Sequence, residues 1–512
     1  MINAAKGGTK GVSDPNAYYD SLLPLWLKSR AFCSGQEFVK ALDSVLDVNT
    51  FTNLLIPFSP SMTPEQYEFY KAEAELPGIT AQFSKILVGG LLRKKPVITF
   101  PDGITEDAKD WINNSIAEGD SSLISFLYDA IWEEVQTSRS WLMADYPRVE
   151  NSENLTTSEM QAYKPYIYTL KAETIINWQT TQRDGEYVLS KLLIKGSQET
   201  YEDGEFHPIV TELVYVHELD ESGNYRIRVF KESVSSNNLS ITAGHRLPSR
   251  NGKTFELYDT IEDILVNGER MKMIPAWPLN GKIAPREPML MAIINKEVAL
   301  YNKLSRRNHL LYGAATYTPI ICSDMLDEDF DAIVAGGLGS WIRLRQGDTA
   351  TVLETPTDAL KDMDRAIEKS IEEIAKLGIR MLSPEAAQSG VALEIRNANQ
   401  TAMLGNLNTT ISDTMQQVIA FMLNWRYDLD VNSADITFKL SDDFNPAPLG
   451  ADWLRLVYEW YQNGHLPRTA WLRILKQNDI LEAEYDDVIG QGEIAGDDTL
   501  MPKMEDEEKD IN

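Results

Sequence analysis

The sequence predicts an α+β fold, and three observations carry the prediction. Residues 164–275 break into short β-branched and aromatic runs separated by Gly and Asn turns. Residues 286–313, 357–378 and 391–427 carry apolar residues three and four apart over unusually long stretches. Between the first two of these stretches lies a strand-and-loop segment, "TPIICSD" followed by "GGLGSWIRLRQGDTATVLET", over 317–355.

The elements follow in order. Residues 1–60 read as mostly helical, through "YYDSLLPLWLKSRAF" and "GQEFVKALDSVL". Thr63 is positioned to cap a helix that opens with Pro64 at its first turn. A helix is predicted over 121–144, with Phe126, Ala130, Ile131 and Val135 on one face. The runs "YIYTLKAETIINW", "EYVLSKLLIKG", "IVTELVYVHEL", "YRIRVFKES" and "FELYDTI" then form an antiparallel meander, with turns at Arg183-Asp-Gly185, Asp203-Gly204, Ser222-Gly-Asn224 and Asn251-Gly252.

The helix over 286–313 is roughly 40 Å long at about 1.5 Å per residue. The one over 357–378 has the clearest ends. Thr355 is its N-cap, Pro356 its first residue, Asp358 an acid in its first turn, and Gly378 its C′ residue. Its stripe is Leu360, Met363, Ile367, Ile371, Ile374 and Leu377. The third helix carries Leu404, Leu407, Ile411, Val418, Met422 and Trp425. Its other faces are Asn, Gln, Thr and Ser rather than Lys and Glu, which suits contact with other subunits as well as with water. Residues 433–444 read as one strand and 450–483 as a closing helical unit.

The 512 residues are 43% hydrophobic, enough for a sizeable core. Net charge is −29; the segment from Glu482 to Asn512 supplies ten of those charges, so the excess is partly a tail effect. An acidic body argues against a sequence-reading nucleic-acid binder, which presents a basic patch. It leaves room for a wall past which nucleic acid slides. Cys33 and Cys322 cannot make a disulfide framework, so a reducing compartment is expected. No apolar run reaches the ~20 residues of a membrane span, and no secretory leader is expected.

Catalytic constellations are not apparent. His207, His217, His245, His309 and His465 stand outside HExxH or HxH spacing. "RNGKT" at 250–254 lacks the leading glycine of a phosphate-binding loop, since that position is Leu247. The acidic pairs Glu133/Glu134, Asp362/Asp364, Glu372/Glu373 and Asp442/Asp443 are read as solvated faces. A non-enzymatic chain with no cofactor and no metal is expected.

The order of elements is the distinctive object: a mixed body, a long helix out, a small β-containing insert, a capped helix back, a small loop, a very long helix. In three segments the sequence resembles a phage portal protein, closest to the uncharacterised-domain portal family of tailed phages. They are "YEFYKAEAELPGITAQFSKILVGGLLRKKPVITF", "MIPAWPLNGKIAPREPMLMAIINKEVALYNKLSRRNHLLYGAATYTPIICSD" and "LKDMDRAIEKSIEEIAKLGIRMLSPEAAQSGVALEIRNANQTAML". One departure is Glu73 and Glu75 in "YKAEAE", where the family pattern leads one to expect an Arg.

The resemblance implies a portal fold: an α/β wing over 1–280, a stem helix in 281–315, a clip over 316–355 and a second stem helix over 356–378. A tunnel loop over 379–391, a long helix and wing strand over 392–445, crown helices over 446–490 and an acidic tail over 491–512 complete it. It implies a homo-oligomeric ring, typically of twelve subunits, at the portal vertex of the virion capsid, assembled in the host cytoplasm. The partners implied are double-stranded DNA in the channel, terminase, head-tail adaptor or tail proteins, and major capsid and scaffolding proteins; no membrane is implied. Arg380, Ser383, Gln388, Ser389 and Gly390 would form the tunnel loop. Trp341, Arg343 and Arg345 would meet terminase or adaptor. Lys369 and Lys376 would face the channel or, on the competing reading, pair with Glu372 and Glu373 of neighbours. The alternative function is another virion structural protein or helical scaffold without a channel.

Overall fold

The computed structural model describes residues 11–45, 63–147, 163–233 without 184 and 202–205, 254–315 without 263, 318–322, 347, 349–353, 358–377, 390–440 and a few positions of 455–462. The chain divides into two units, Met1–Ser441 and Asp442–Asn512. The architecture below is that of the first, a mixture of helix and sheet.

Helix α1 (Ala17–Ser34) begins where the Asn16 side chain accepts the Tyr18 N–H, and it is followed by α2 (Gln36–Val45). Helix α3 (Pro64–Glu73) opens with a full capping box: Thr63 accepts from the Gln66 N–H and Gln66 accepts from the Thr63 N–H. Then come α4 (Ile79–Leu91), β1 (Val97–Thr99), α5 (Glu106–Asn114) and α6 (Leu123–Thr137).

The helix predicted to reach 144 stops at Thr137. Ser138 turns left-handed (φ 53°) and returns its N–H to the Glu134 carbonyl at 2.7 Å. The apolar run that follows becomes β2 (Trp141–Asp145), buried on both faces, so it shows none of the alternation that marks a strand. It pairs with β3 (Tyr166–Leu170) on one side and with the later β11 (Ala276–Pro278) on the other, giving a three-stranded sheet.

The meander starts later than its first run suggests. "YIYTLKAETIINW" is two strands, β3 and β4 (Ile175–Arg183), broken by a 3₁₀ turn at Ala172–Thr174, and they join different sheets. Strands β4, β5 (Glu186–Thr200), β6 (Ile209–Leu219), β7 (Tyr225–Ser233) and β8 (Thr254–Ile261) form one five-stranded antiparallel sheet in sequence order. A short ribbon of β9 (Leu265–Val266) and β10 (Glu269–Arg270) leads on to β11.

Both faces of the meander are covered. One packs Leu192, Ile194, Leu213 and Ile227 with Trp141 and Leu170 of the smaller sheet. The other packs Leu193, Val214, Val216 and Phe255 with Tyr19 and Trp26 of α1. Arg139, at the end of α6, lies in this region as a cation over Trp178 (4.2 Å to the ring centre) and Trp26 (5.4 Å). Among the described residues its guanidinium has no hydrogen-bond partner, and burial lowers its pKa to about 9.

Helix α7 (Met291–Ala315) starts later than the expected 281 or 286, because Pro285 and Pro288 hold the residues before them out of helical geometry. Strands β12 (Thr318–Cys322) and β13 (Thr349–Leu353) pair antiparallel. Helix α8 (Asp358–Lys376) and the 38-residue α9 (Gly390–Tyr427) follow. Thr355, Pro356 and Gly378, the expected ends of α8, lie outside the described residues. Of the strand predicted over 433–444, only β14 (Thr437–Lys439) forms; a 3₁₀ turn occupies Ser433–Asp435, and 441–444 lie outside the described residues. Strand β14 pairs with β1, tying the end of this unit to the segment between α4 and α5. The crown and tail expected beyond 446 fall almost wholly outside the described residues.

Candidate functional site: a helix pair and its anchored root

Helices α7 and α8 run antiparallel, as their cross-links show. Lys296 meets Glu373 at 2.5 Å, Lys303 donates to the Ser370 hydroxyl at 2.6 Å, and Arg307 meets Asp364 at 2.5 Å. Residue numbers climb on one helix as they fall on the other. The apolar seam beneath these links includes Val298 and Tyr301 from α7 and Ile367 and Ile374 from α8, all buried. The sequence dictates the arrangement: α8 has one narrow apolar stripe, and it leaves Lys361, Asp362, Arg365, Glu368, Lys369 and Glu372 exposed. The ion pairs along the edge are half exposed, so the seam outweighs them energetically. The Lys296 ammonium, through its hydrogen bond and then its charge, holds the Glu373 carboxyl below the usual carboxylate range.

At the root of this pair, α7 is clamped to the N-terminal helices by buried polar groups. Gly78, at the N-cap of α4, is left-handed (φ 70°) and has no side chain to cap with. Glu297 of α7, fully buried, caps α4 in its place. It accepts the N–H groups of Ile79 (2.8 Å) and Thr80 (2.9 Å) and the Thr80 hydroxyl. Burial raises the Glu297 pKa, and these donors oppose the rise. Two residues earlier, Asn295 accepts from Lys28 of α1 at 3.0 Å.

A second polar node joins α1, α6 and the 3₁₀ turn Ala172–Thr174 between β3 and β4. Arg30 binds Glu133 through both terminal nitrogens (2.8 Å each), reaches Glu173 at 2.7 and 2.9 Å, and donates to the Gln136 side chain at 2.7 Å. Burial works against its charge, but the two carboxylates outweigh it and raise the Arg30 pKa. Glu134, 1% exposed, accepts from the Ser140 N–H (2.9 Å) and the Asn280 amide (3.1 Å). Burial is the main reason its pKa climbs to about 7. The solvated face expected for Glu133/Glu134 is therefore wrong. Both carboxylates are buried because partners distant in sequence satisfy them. Asp362 and Asp364 do sit on an outer face, where Asp362 pairs with Arg365 and Asp364 with Arg307.

The residues singled out from sequence fare unevenly. Lys369 is exposed on α8, and its charge helps hold Glu373 ionised on its own chain. Glu373 has an intrachain partner, Lys296. Lys376 is the last residue of α8. Gly390 is not in a loop: it opens α9, so the expected tunnel loop ends before it. Arg380, Ser383, Gln388 and Ser389 lie outside the described residues, as do Trp341, Arg343 and Arg345, which the strands β12 and β13 bracket in sequence. His217 is buried and its Nδ1 lies 2.7 Å from the Tyr225 hydroxyl, while His309 packs edge-on to Tyr70. Among the described residues no group of three or more His, Cys, Asp or Glu could hold a metal ion, and no helix is long and apolar enough to cross a membrane.

Sequence reasoning passed over Glu297 and Arg30. A signal for Glu297 was present: it shares the apolar stripe of Ile294 and Tyr301, where a lone acid needs buried donors.

Residues 289–426, from just before α7 to the end of α9, match a family model described as "Domain of unknown function (DUF4055)". No curated protein matches the chain. Among solved structures, a chain in the "Virion of native gene transfer agent (GTA) particle" is 9% identical, with a TM-score of 0.38 over 75% of this chain and 85% of that one. Chains in the "Neck of native GTA particle computed with C12 symmetry" (10%, TM-score 0.35, covering 77% and 89%) and the "Neck of empty GTA particle computed with C6 symmetry" (9%, 0.33, 76% and 87%) are similar at the same low level. Likeness this faint leaves function to be argued from the chain itself.

Proposed function

We propose that the chain is a subunit of a tailed-phage portal, a non-enzymatic virion protein that assembles into a ring of about twelve copies. The ring sits at one capsid vertex, passes double-stranded DNA during packaging and ejection, and docks terminase and then adaptor or tail proteins. The observation that carries this reading is the antiparallel pair α7/α8, interrupted by the β12–β13 pair and followed by the 38-residue α9. The stretch matched by the family model spans that unit and little else. A stalk two helices wide buries only one seam, so its remaining surface suits contact with further copies.

DNA contact on this reading is loose: few phosphate contacts and no base readout, because tight contact would stall translocation. The deciding experiment is negative-stain imaging with native mass measurement of the purified chain. Rings with a central hole support the portal. A monomer or an open filament in every preparation overturns it and favours a scaffold without a channel.

A further inference from the structure

Strands β5 and β6 outrun their neighbours in the meander. Their pairing continues to Thr200 and Ile209, whereas β4 accompanies β5 only to Ile194 and β7 accompanies β6 only to Leu213. Burial stops at the same two residues, which are 6% and 5% exposed. Beyond them, residues 195–200 and 209–212 form a two-stranded arm. It is rooted where the Tyr215 ring lies across Gly196, so close that a Cβ there would stand 2.7 Å from the ring. At its outer end Tyr201, Phe206, Ile209 and Val210 are 62%, 92%, 52% and 59% exposed. Ile209 and Val210 are consecutive in a strand and point to opposite faces, so both faces of the arm are open. Two strands alone build no core, and apolar side chains gathered on such a ribbon mark a contact surface.

Charge says what the arm meets. Residues 199–212 carry five acids and no Lys or Arg, so its partner is apolar and basic. This acidic chain holds one stretch of that kind. Residues 76–101 contain no Asp or Glu but carry Lys85, Arg93, Lys94 and Lys95, in a chain with 77 acids against 48 lysines and arginines. Helix α4 lies in it. Its inner face buries Phe83, Leu87 and Leu91, and Glu297 fixes its first turn. Its outer face presents Gln82, Lys85, Ile86 and Gly89 at helical spacing, all exposed, with Lys95 and Val97 exposed just beyond. A Cβ at Gly89 would meet nothing within 4 Å, so another backbone can approach the helix closely there.

We propose that the β5–β6 arm of one copy docks on the outer face of α4 in the next copy. Tyr201, Phe206, Ile209 and Val210 cover Ile86 and Val97, while the acids of the arm lie against Lys85 and Lys95. Both surfaces are exposed on the single chain, so a second copy is what covers them. The contact is heterologous: each copy gives one arm and receives one, as a closed ring requires. The inference rests on the ring reading and names the surfaces that join its subunits.

The test uses the full chain, with the ring fraction read by native mass measurement against protein concentration and folding read by circular dichroism. Tyr201→Ser, Phe206→Ser, Ile209→Thr and Val210→Thr together should raise the concentration at which rings form about tenfold or more and leave the spectrum that of the parent. Glu199→Lys with Glu212→Lys, and separately Lys85→Glu with Lys95→Glu, should each weaken assembly about tenfold. All four reversals in one chain should restore it to within about threefold of the parent. Should the apolar variant fail to fold, the charge reversals decide alone. Rings that form as readily in the arm variants as in the parent, or a fourfold reversal no better than its halves, would overturn this contact and leave the ring reading standing. A parent chain that forms no ring at any concentration would overturn both.

Discussion

The carboxylate of Glu297 accepts the backbone N–H of Thr80 at 2.9 Å across 217 residues of chain. A helix that begins at a bare left-handed glycine is thereby capped by a helix more than two hundred residues further along the chain. Helix α7 is thus built into the body at its root as well as into the pair with α8.

Replacing Glu297 tests this cap. Glu297→Leu leaves buried donors of Ile79 and Thr80 without an acceptor and should cost about 2–4 kcal/mol in urea unfolding. Glu297→Gln keeps one acceptor oxygen and should cost about half as much. Equal, negligible losses for both would show that the cap contributes nothing.

Arg30 is the hinge of the second node. Arg30→Met strands the buried Glu133 carboxylate and should destabilise by about 3 kcal/mol or more. Glu173→Gln should cost less than half of that, because Glu173 is partly exposed and water replaces part of what it loses. The reverse ranking would mean that Glu173, not Glu133, is the main partner.

Glu134 gives a pH dependence of definite sign. Its folded pKa, about 7, lies above its ordinary value of 4.5. Its contribution to stability is therefore complete below pH 4.5 and is lost as pH rises through 7, about 3 kcal/mol in all. Glu134→Gln should flatten the stability profile between pH 4.5 and 7.5 relative to the parent. Parallel profiles for the two proteins would refute the assignment.

In the helix pair, packing should outweigh charge. Ile374→Ala, at a position 1% exposed, should cost about 2–4 kcal/mol. Glu373→Gln should leave the thermal midpoint within error, since its partner Lys296 is well exposed and both can be solvated. A large loss from Glu373→Gln that vanishes in high salt would reverse this ranking.

The proposed channel role has its own test. Deleting Pro384–Ser389, now bounded by the start of α9 at Gly390, should leave rings intact and lower DNA packaging or retention. Loss of folding on deletion would show the segment to be structural.

Much of the fold was written locally. Thr63, Gln66 and Pro64 specify the start of α3 by themselves, and the stripe of α8 and the turn glycines of the meander act within a few residues. Where burial is two-sided, local signals fail: β2 looks helical because no face of it meets water, and "YIYTLKAETIINW" hides a change of sheet.

The candidate site divides along the same line. The sequence by itself determined that two long helices flank a small strand-bearing insert, because helical periodicity and capping are short-range effects. Only the tertiary structure decided that Glu133, Glu134 and Glu297 are buried and that Glu373 pairs with Lys296. An acidic side chain reads the same on a solvated face and in a core. What separates the two is whether distant donors such as Arg30, Thr80 and Asn280 arrive to meet it, and the folded chain alone brings them there.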